Sequence, residues 1–501
     1  MVKNCLKCKF TNKSFQHTMS GEIKYDFRKI QFGYTDAQTE GQECPNLMTE
    51  GYVDIEDVVS KALFSTIFLF LGYKGSGKSA LSEHLRLSAG ENYIIDQQGL
   101  KDFPFRNFAK LNSSDENPIL RTKQIWNWLL AVKVLSNLIK DPDAVSTRQY
   151  EVDKLFGILS KNGLAPINKI SDLVSKTTSK KVKASMKVLS TEYESNESEN
   201  TVDFNQMTEM VEDLIYSYKE SKRHIIVIDD LDDILAPNGN QFYTIAGLIN
   251  VAKEMNTKFI NHDIQVKFLV LCRTDMFEKL SDPNRNKIMQ NCSFSFSWYD
   301  EGVNKPNESR LIQMIDLRGR LRYPELKSVV ETFFPKFFKS KSIYNALLDM
   351  TRHTPRDFIQ LMNCIKGQCV APKVRTVDIE TGFKKYSADY FLHEIQDEMT
   401  GYVSSENIET IIGAMSSLHK REFTYDELLG IIEKRYPSLA SNLEDILNVM
   451  YNCSAIGHTY YFREDNSTRV TFKYRNRVSK FSIRDRIIIH NGLWQSLNVN
   501  Y

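Results

Sequence analysis

The octapeptide Gly72-Tyr73-Lys74-Gly75-Ser76-Gly77-Lys78-Ser79 constrains the fold of this chain more than any other feature of its 501 residues. It matches the pattern GxxxxGK[ST] at every fixed position. A strand-like apolar run, Ser65 to Leu71, precedes it, and a helical pattern, Ala80 to Ser88, follows. Glycines at this spacing let the backbone fold tightly with its N–H groups pointing inward, which makes a nest for phosphate oxygens. The helix behind the nest adds the partial positive charge of its N-terminus. Gly72, Tyr73, Lys74, Gly75, Ser76, Gly77, Lys78, Ser79 and Ala80 are therefore the expected phosphate-binding residues. Lys78 is expected to reach the β- and γ-phosphates, and Ser79 to ligate Mg²⁺.

The rest of the first 300 residues fits an α/β sheet around that loop. Strands are expected at Tyr93 to Asp96, His224 to Asp229, Val266 to Cys272 and Ser293 to Trp298, with helices over 117–140, 203–220 and 241–256. The unbroken run Ile225-Ile226-Val227-Ile228 implies burial on both faces, as in a parallel sheet. It ends in Asp229-Asp230, so the carboxylates arrive at the C-terminal edge, where open α/β sheets bind their ligands. Asp229 is expected in the Mg²⁺ shell, and Asp230 is expected to orient an attacking water. A second buried strand ends in Arg273-Thr274-Asp275, and either Arg273 or Thr274 is a candidate sensor of the γ-phosphate. Arg285 is a candidate arginine finger acting on a neighbouring subunit, with an ordinary surface arginine as the alternative. Arg356, in the first turn of a helix opened by Thr354-Pro355, is positioned to reach a γ-phosphate from a separate helical unit.

Four segments follow from these shifts in pattern: an extension over 1–50, a nucleotide-binding core over 51–304, a helical lid over 305–400 and a final unit over 401–501. The core carries an inserted helical and polar segment at about 140–202, whose second half is basic first and acidic afterwards. The last unit reads helix, helix, helix, hairpin, the order of a winged helix. Its segment Val470 to Arg475, taken as a strand, puts Lys473 and Arg475 on one face. With Arg477 they form a candidate phosphate-neutralising wing for nucleic acid, the alternative being a protein-contact module with a solvated basic edge.

Composition adds bounds. The net charge is +2, so any nucleic-acid argument must be local. Eight cysteines are too few for a disulfide framework in a chain this long. Cys5 and Cys8 form a CxxC near Cys44 and His17; zinc would need all four, at a spacing that fits no standard knuckle, and free thiols are the plain reading. No apolar leader opens the sequence, and the most apolar stretch is far short of a membrane span. A cytoplasmic protein is expected.

The chain resembles the AAA+/STAND P-loop ATPases. The resemblance rests on the glycine loop, on Ile228-Asp229-Asp230-Leu231-Asp232-Asp233, on the strand ending at Arg273, on Thr354-Pro355-Arg356 and on the final unit. In layout it is similar to origin-recognition initiators. It is also similar to a bacterial STAND-like group that carries an FGxxDAxxE lead-in, seen here as Phe32 to Glu40, then Glu50-Gly51-Tyr52-Val53-Asp54, with Trp298 after the fifth strand. The resemblance implies that the strand ending at Arg273 lies between those carrying the glycine loop and the Asp pair. It implies ATP and Mg²⁺ as ligands and a homo-oligomer or a partner effector, in a phage-defence or conflict setting. Initiators and motors place Glu where Asp230 stands, and the shorter side chain implies a slow, switch-like ATPase. Two other readings remain open: an ATP-gated nucleic-acid initiator or loader, and a nucleotide-bound scaffold without turnover.

Overall fold

The computed structural model describes residues 25–101, 103, 104, 108, 118–177, 204–231, 240–280, 284–299, 305–462, 464 and 466–499. The expectations for Cys5, Cys8 and His17, for Asp232 and Asp233, and for the charged stretch 178–203 lie outside those residues.

Ahead of the sheet, α1 (Ala37–Glu43) starts at Asp36, whose carboxylate accepts from Thr39 N at 2.7 Å. The central sheet has five parallel strands: β1 (Leu69–Gly72), β2 (Tyr93–Gly99), β3 (Arg223–Asp229), β4 (Val266–Arg273) and β5 (Ser293–Ser295), in the spatial order β2-β3-β4-β1-β5. The glycine loop leaves β1 and the Asp pair ends β3, so β4 lies between them, as the resemblance implied. Both sheet faces are buried, and the period of two explains how one strand serves two cores. Phe70, Ile225, Val227, Leu269 and Leu271 belong to one core, and Leu69, Leu71, Ile226, Ile228, Phe268 and Val270 to the other.

The first core receives α2 (Lys78–Ser88) through Leu81 and Leu85. The second receives α3 (Pro118–Lys140), α4 (Gln149–Lys161), α5 (Ile170–Thr177), α6 (Phe204–Ile215) and α7 (Asn240–Asn261). The described half of the expected polar insertion is thus packed structure. Val152, Leu155 and Leu159 repeat at helical spacing and are buried, as are Ile170, Leu173 and Val174. A polar tie fastens α3 and the α4–α5 region to edge strand β2. Asp96 accepts from Lys133 Nζ at 2.7 Å and Asn137 Nδ2 at 2.6 Å, and Lys133 also donates to Asn168 O.

Beyond residue 305 the first core continues without a break. It runs through α8 (Arg310–Arg322), α9 (Pro355–Lys366) and α10 (Leu392–Met399), then α11 (Ser405–Ser416), α12 (Tyr425–Arg435) and α13 (Leu443–Asn452). The last unit holds the expected three helices and hairpin, β7 (Ile456–Phe462) with β8 (Ser467–Thr471). Two strands not anticipated, β6 (Glu422–Phe423) and β9 (Arg486–Ile489), widen it to a four-stranded sheet ordered β6-β9-β7-β8. β8 stops at Thr471. Phe472 opens a turn in which Arg475 N and Asn476 N both donate to its carbonyl, so the period-two reading does not carry through to Arg475. No helix among the described residues is long and apolar enough to cross a membrane.

Candidate functional site

A cleft of about 220 Å³ opens at the C-terminal edge of the sheet. Its floor is the glycine loop. Gly75 and Gly77 take φ of 77° and 98°, the left-handed region that glycine enters without a Cβ clash. Gly75 has a second constraint: a Cβ there would lie 2.9 Å from Arg356 Cβ. Lys78 opens α2 and folds back over the loop, donating to Gly72 O at 3.0 Å and Tyr73 O at 3.1 Å. Trp298 braces the loop from below, its indole N–H donating to Ser76 O at 2.8 Å. Ser76 Oγ is buried and has no hydrogen-bond partner among the described residues, whereas Ser79 is exposed at the helix start.

Asp229 and Asp230 line the same cleft. Asp230 sits at φ 59°, a conformation that Asp tolerates better than most residues, and its N–H donates to Asp229 Oδ1 at 2.8 Å. The bend carries the Asp230 carboxylate over Gly99 at the end of β2, where a Cβ would fall 2.9 Å from Oδ2. Arg356 closes the cleft from the helical unit. Its backbone N–H approaches Gly75 O at 3.4 Å, and its Nε donates to Thr35 O at 3.1 Å. α9 begins here because Thr354 caps it, accepting from Asp357 N, and Pro355 occupies the first turn.

The remaining wall is the FGxxDAxxE lead-in, and each fixed position has a physical reason. Phe32 is fully buried. Gly33 has φ 101°, and a Cβ would collide with Glu40 and Arg318. Asp36 caps α1, and Ala37 faces the cleft. Glu40 is buried, accepts from Tyr34 N at 2.7 Å and forms a two-armed ion pair with Arg318 of α8, at 2.7 and 3.1 Å. Tyr34, Met48, Tyr52, Val53, Met314 and Ile359 contribute apolar lining to the cleft. Arg318 and Met314 escaped sequence reading because they lie on an ordinary amphipathic helix nearly 240 residues from the loop.

Several expected residues are placed elsewhere. Arg273 and Thr274 do not line the cleft; the Arg273 guanidinium turns onto Asp275, with both bonds at 2.9 Å. Arg285 opens a short helix outside it and donates to the carbonyls of Glu278 and Leu280. The residues of the expected wing, Lys473, Arg475 and Arg477, are partly exposed and each makes contacts within the molecule. Lys473 Nζ donates to Arg477 O and Ser479 O. Arg475 pairs with Asp349 at 3.1 Å and with the Tyr474 hydroxyl. Arg477 donates to Phe296 O at 2.8 Å and lies over the Tyr73 ring of the glycine loop. Cys44 is buried, and the described residues contain no cluster of three or more His, Cys, Asp or Glu arranged to hold a metal.

No protein-family model matches the chain. A similar protein is the putative transposon gamma-delta 80.3 kDa protein of Escherichia coli (strain K12), 20% identical over 517 aligned positions that span 96% of this chain and 68% of that protein.

Proposed function

We propose that this chain is a P-loop ATPase of the AAA+/STAND type, a slow nucleotide-driven switch that controls its own assembly or a partner effector. One observation carries the reading: the glycine loop, the Asp229–Asp230 pair and Arg356 converge on a single cleft although 284 residues separate Gly72 from Arg356. The strand order supports it, as does the helix-and-sheet form of the final unit, which we read as a winged helix.

In this reading ATP lies with its phosphates on the glycine loop and its base toward Tyr34, Tyr52 and Val53. Loop N–H groups and Lys78 hold the phosphate charge. Ser79 and Asp229 would hold Mg²⁺, consistent with a cation that takes few protein ligands and keeps phosphate oxygens and waters. Bound Mg²⁺ supplies charge neutralisation on the phosphate oxygens. Asp230 orients the attacking water, and its shorter side chain makes turnover slow. Arg356 links the phosphate end to the helical unit. The relative named for a transposon is compatible with a mobile-element or conflict setting, which remains part of this proposal.

The nucleic-acid alternative would require Lys473, Arg475 and Arg477 to exchange their present contacts for phosphates. The test is ATP binding and hydrolysis by the purified chain, with Lys78→Ala and Asp230→Asn alongside, and solution mass with a non-hydrolysable analogue. Lys78→Ala should lower turnover by roughly 10²-fold or more. Asp230→Asn should keep binding, lose turnover and hold the ATP-dependent mass. Wild-type turnover on the order of tens per second would reject the slow switch. Tight binding with neither turnover nor a change in mass would leave a nucleotide-bound scaffold.

A further inference from the structure

Helix α10 presents two carboxylates one turn apart, Glu394 and Glu398, to two arginines four residues apart at the entrance of α9, Arg352 and Arg356. The two rungs of this ladder are not alike. Glu398 Oε1 is 2.6 Å from Arg352 Nη1. Arg352 also gives its Nε, Nη2 and backbone N–H to Asp357, which accepts from Tyr390 as well. All three charged side chains of that rung are less than a tenth exposed, and the network is closed. It has the form of a structural ion pair.

The second rung is long and shared. Glu394 Oε2 is 3.2 Å from Lys74 Nζ and 3.8 Å from Arg356 Nη1, and although buried it makes no hydrogen bond of acceptable geometry with either. Lys74 and Arg356 both line the cleft. One carboxylate oxygen thus holds two cleft cations at distances beyond those of strong charge-assisted bonds, which run near 2.7–2.9 Å.

We infer that Glu394 is a built-in counter-anion of the nucleotide cleft, holding Lys74 and Arg356 until a polyphosphate takes them. The inference rests on the proposed ATP-binding reading and adds a positioning residue to it. A partly exposed carboxylate beside two cations lowers the cost of keeping those cations in place. Phosphate oxygens carry more charge and approach the same cations with better geometry, so binding exchanges one anion for another. The exchange subtracts the Glu394 interaction from the affinity for phosphate. It also frees α10, which carries both glutamates, to shift relative to the loop.

The decisive experiment is titration of the full-length chain with ATP, with adenosine as a phosphate-free control, for wild type and Glu394→Gln. The substitution keeps the shape and removes the competing charge. ATP affinity should rise about two- to fivefold, the scale of one partly exposed ion pair, while adenosine binding stays unchanged. Loss of structure does not tighten a ligand selectively, so a gain confined to ATP separates competition from misfolding. Glu394→Asp, which draws the carboxylate back by one methylene, should give a smaller gain of the same sign and serves if Glu394→Gln does not fold. Unchanged or weaker ATP binding in both variants, with wild type binding ATP, overturns the inference and leaves the proposed function standing. A wild type that binds no ATP overturns both.

Discussion

Two histidines, His353 and His490, contribute to how the molecule responds to acid. The His353 ring stacks on Tyr474 with centroids 5.4 Å apart and meets the edge of Tyr299 at 5.1 Å. His490 stacks on Phe391 at 4.9 Å, and its Nδ1 accepts from Gly492 N. Burial pushes both imidazoles down to about 3, reinforced by Arg475 beside His353 and by Arg352 and Arg475 beside His490. Both are neutral in the folded chain, whereas in the unfolded chain they protonate below their ordinary value of 6.5. Between about pH 6.5 and 3 the unfolded state binds more protons, so stability rises with pH across that window. It is fully present above 6.5 and is lost as the solution is acidified. Each histidine contributes a slope of at most about 1.4 kcal/mol per pH unit. Thermal melts from about pH 7.5 down to about 4.5 should show a falling Tm, and His490→Asn should flatten that fall. A wild-type Tm independent of pH across that range would reject this account.

Helix α1 and helix α8 meet through one buried pair, Glu40 and Arg318, whose side chains are 1% and 6% exposed. The pair fastens the lead-in to the helical unit, and both residues line the cleft. Removing one partner leaves a buried charge uncompensated, which costs more than the pair itself contributes. Glu40→Ala should destabilise the chain by about 3–5 kcal/mol in denaturant unfolding, with Glu40→Gln falling between the variant and wild type. An unfolding midpoint for Glu40→Ala equal to that of wild type would show that the pair is dispensable. The Glu40 end of this contact was legible as a spaced motif. The Arg318 end was not, because its periodicity is that of any core-facing helix.

Across the whole molecule, Arg477 ties the C-terminal unit to the glycine loop and the sheet, and Arg475 ties it to the helical unit. Arg477 reaches Phe296 O and the Tyr73 ring, and Arg475 reaches Asp349. Arg477→Ala removes a charge-assisted hydrogen bond of about 1.5–3 kcal/mol. Hydrogen exchange should accordingly rise in peptides covering Tyr73 and Phe296, and unchanged protection there would argue against this link. The unbroken apolar run Ile225 to Ile228, the glycine spacing over 72–79 and the helix opening at Thr354-Pro355 are local signals. They determined the strands, the loop and the helix starts from sequence alone, because neighbouring atoms enforce them. Where β8 ends, which way Arg273 turns, that 149–177 packs as core, and that Arg318 and Glu394 meet the lead-in and the loop were decided only by tertiary structure. Long cationic side chains have no intrinsic direction, and each settles on whichever carboxylate or carbonyl the folded chain brings within reach.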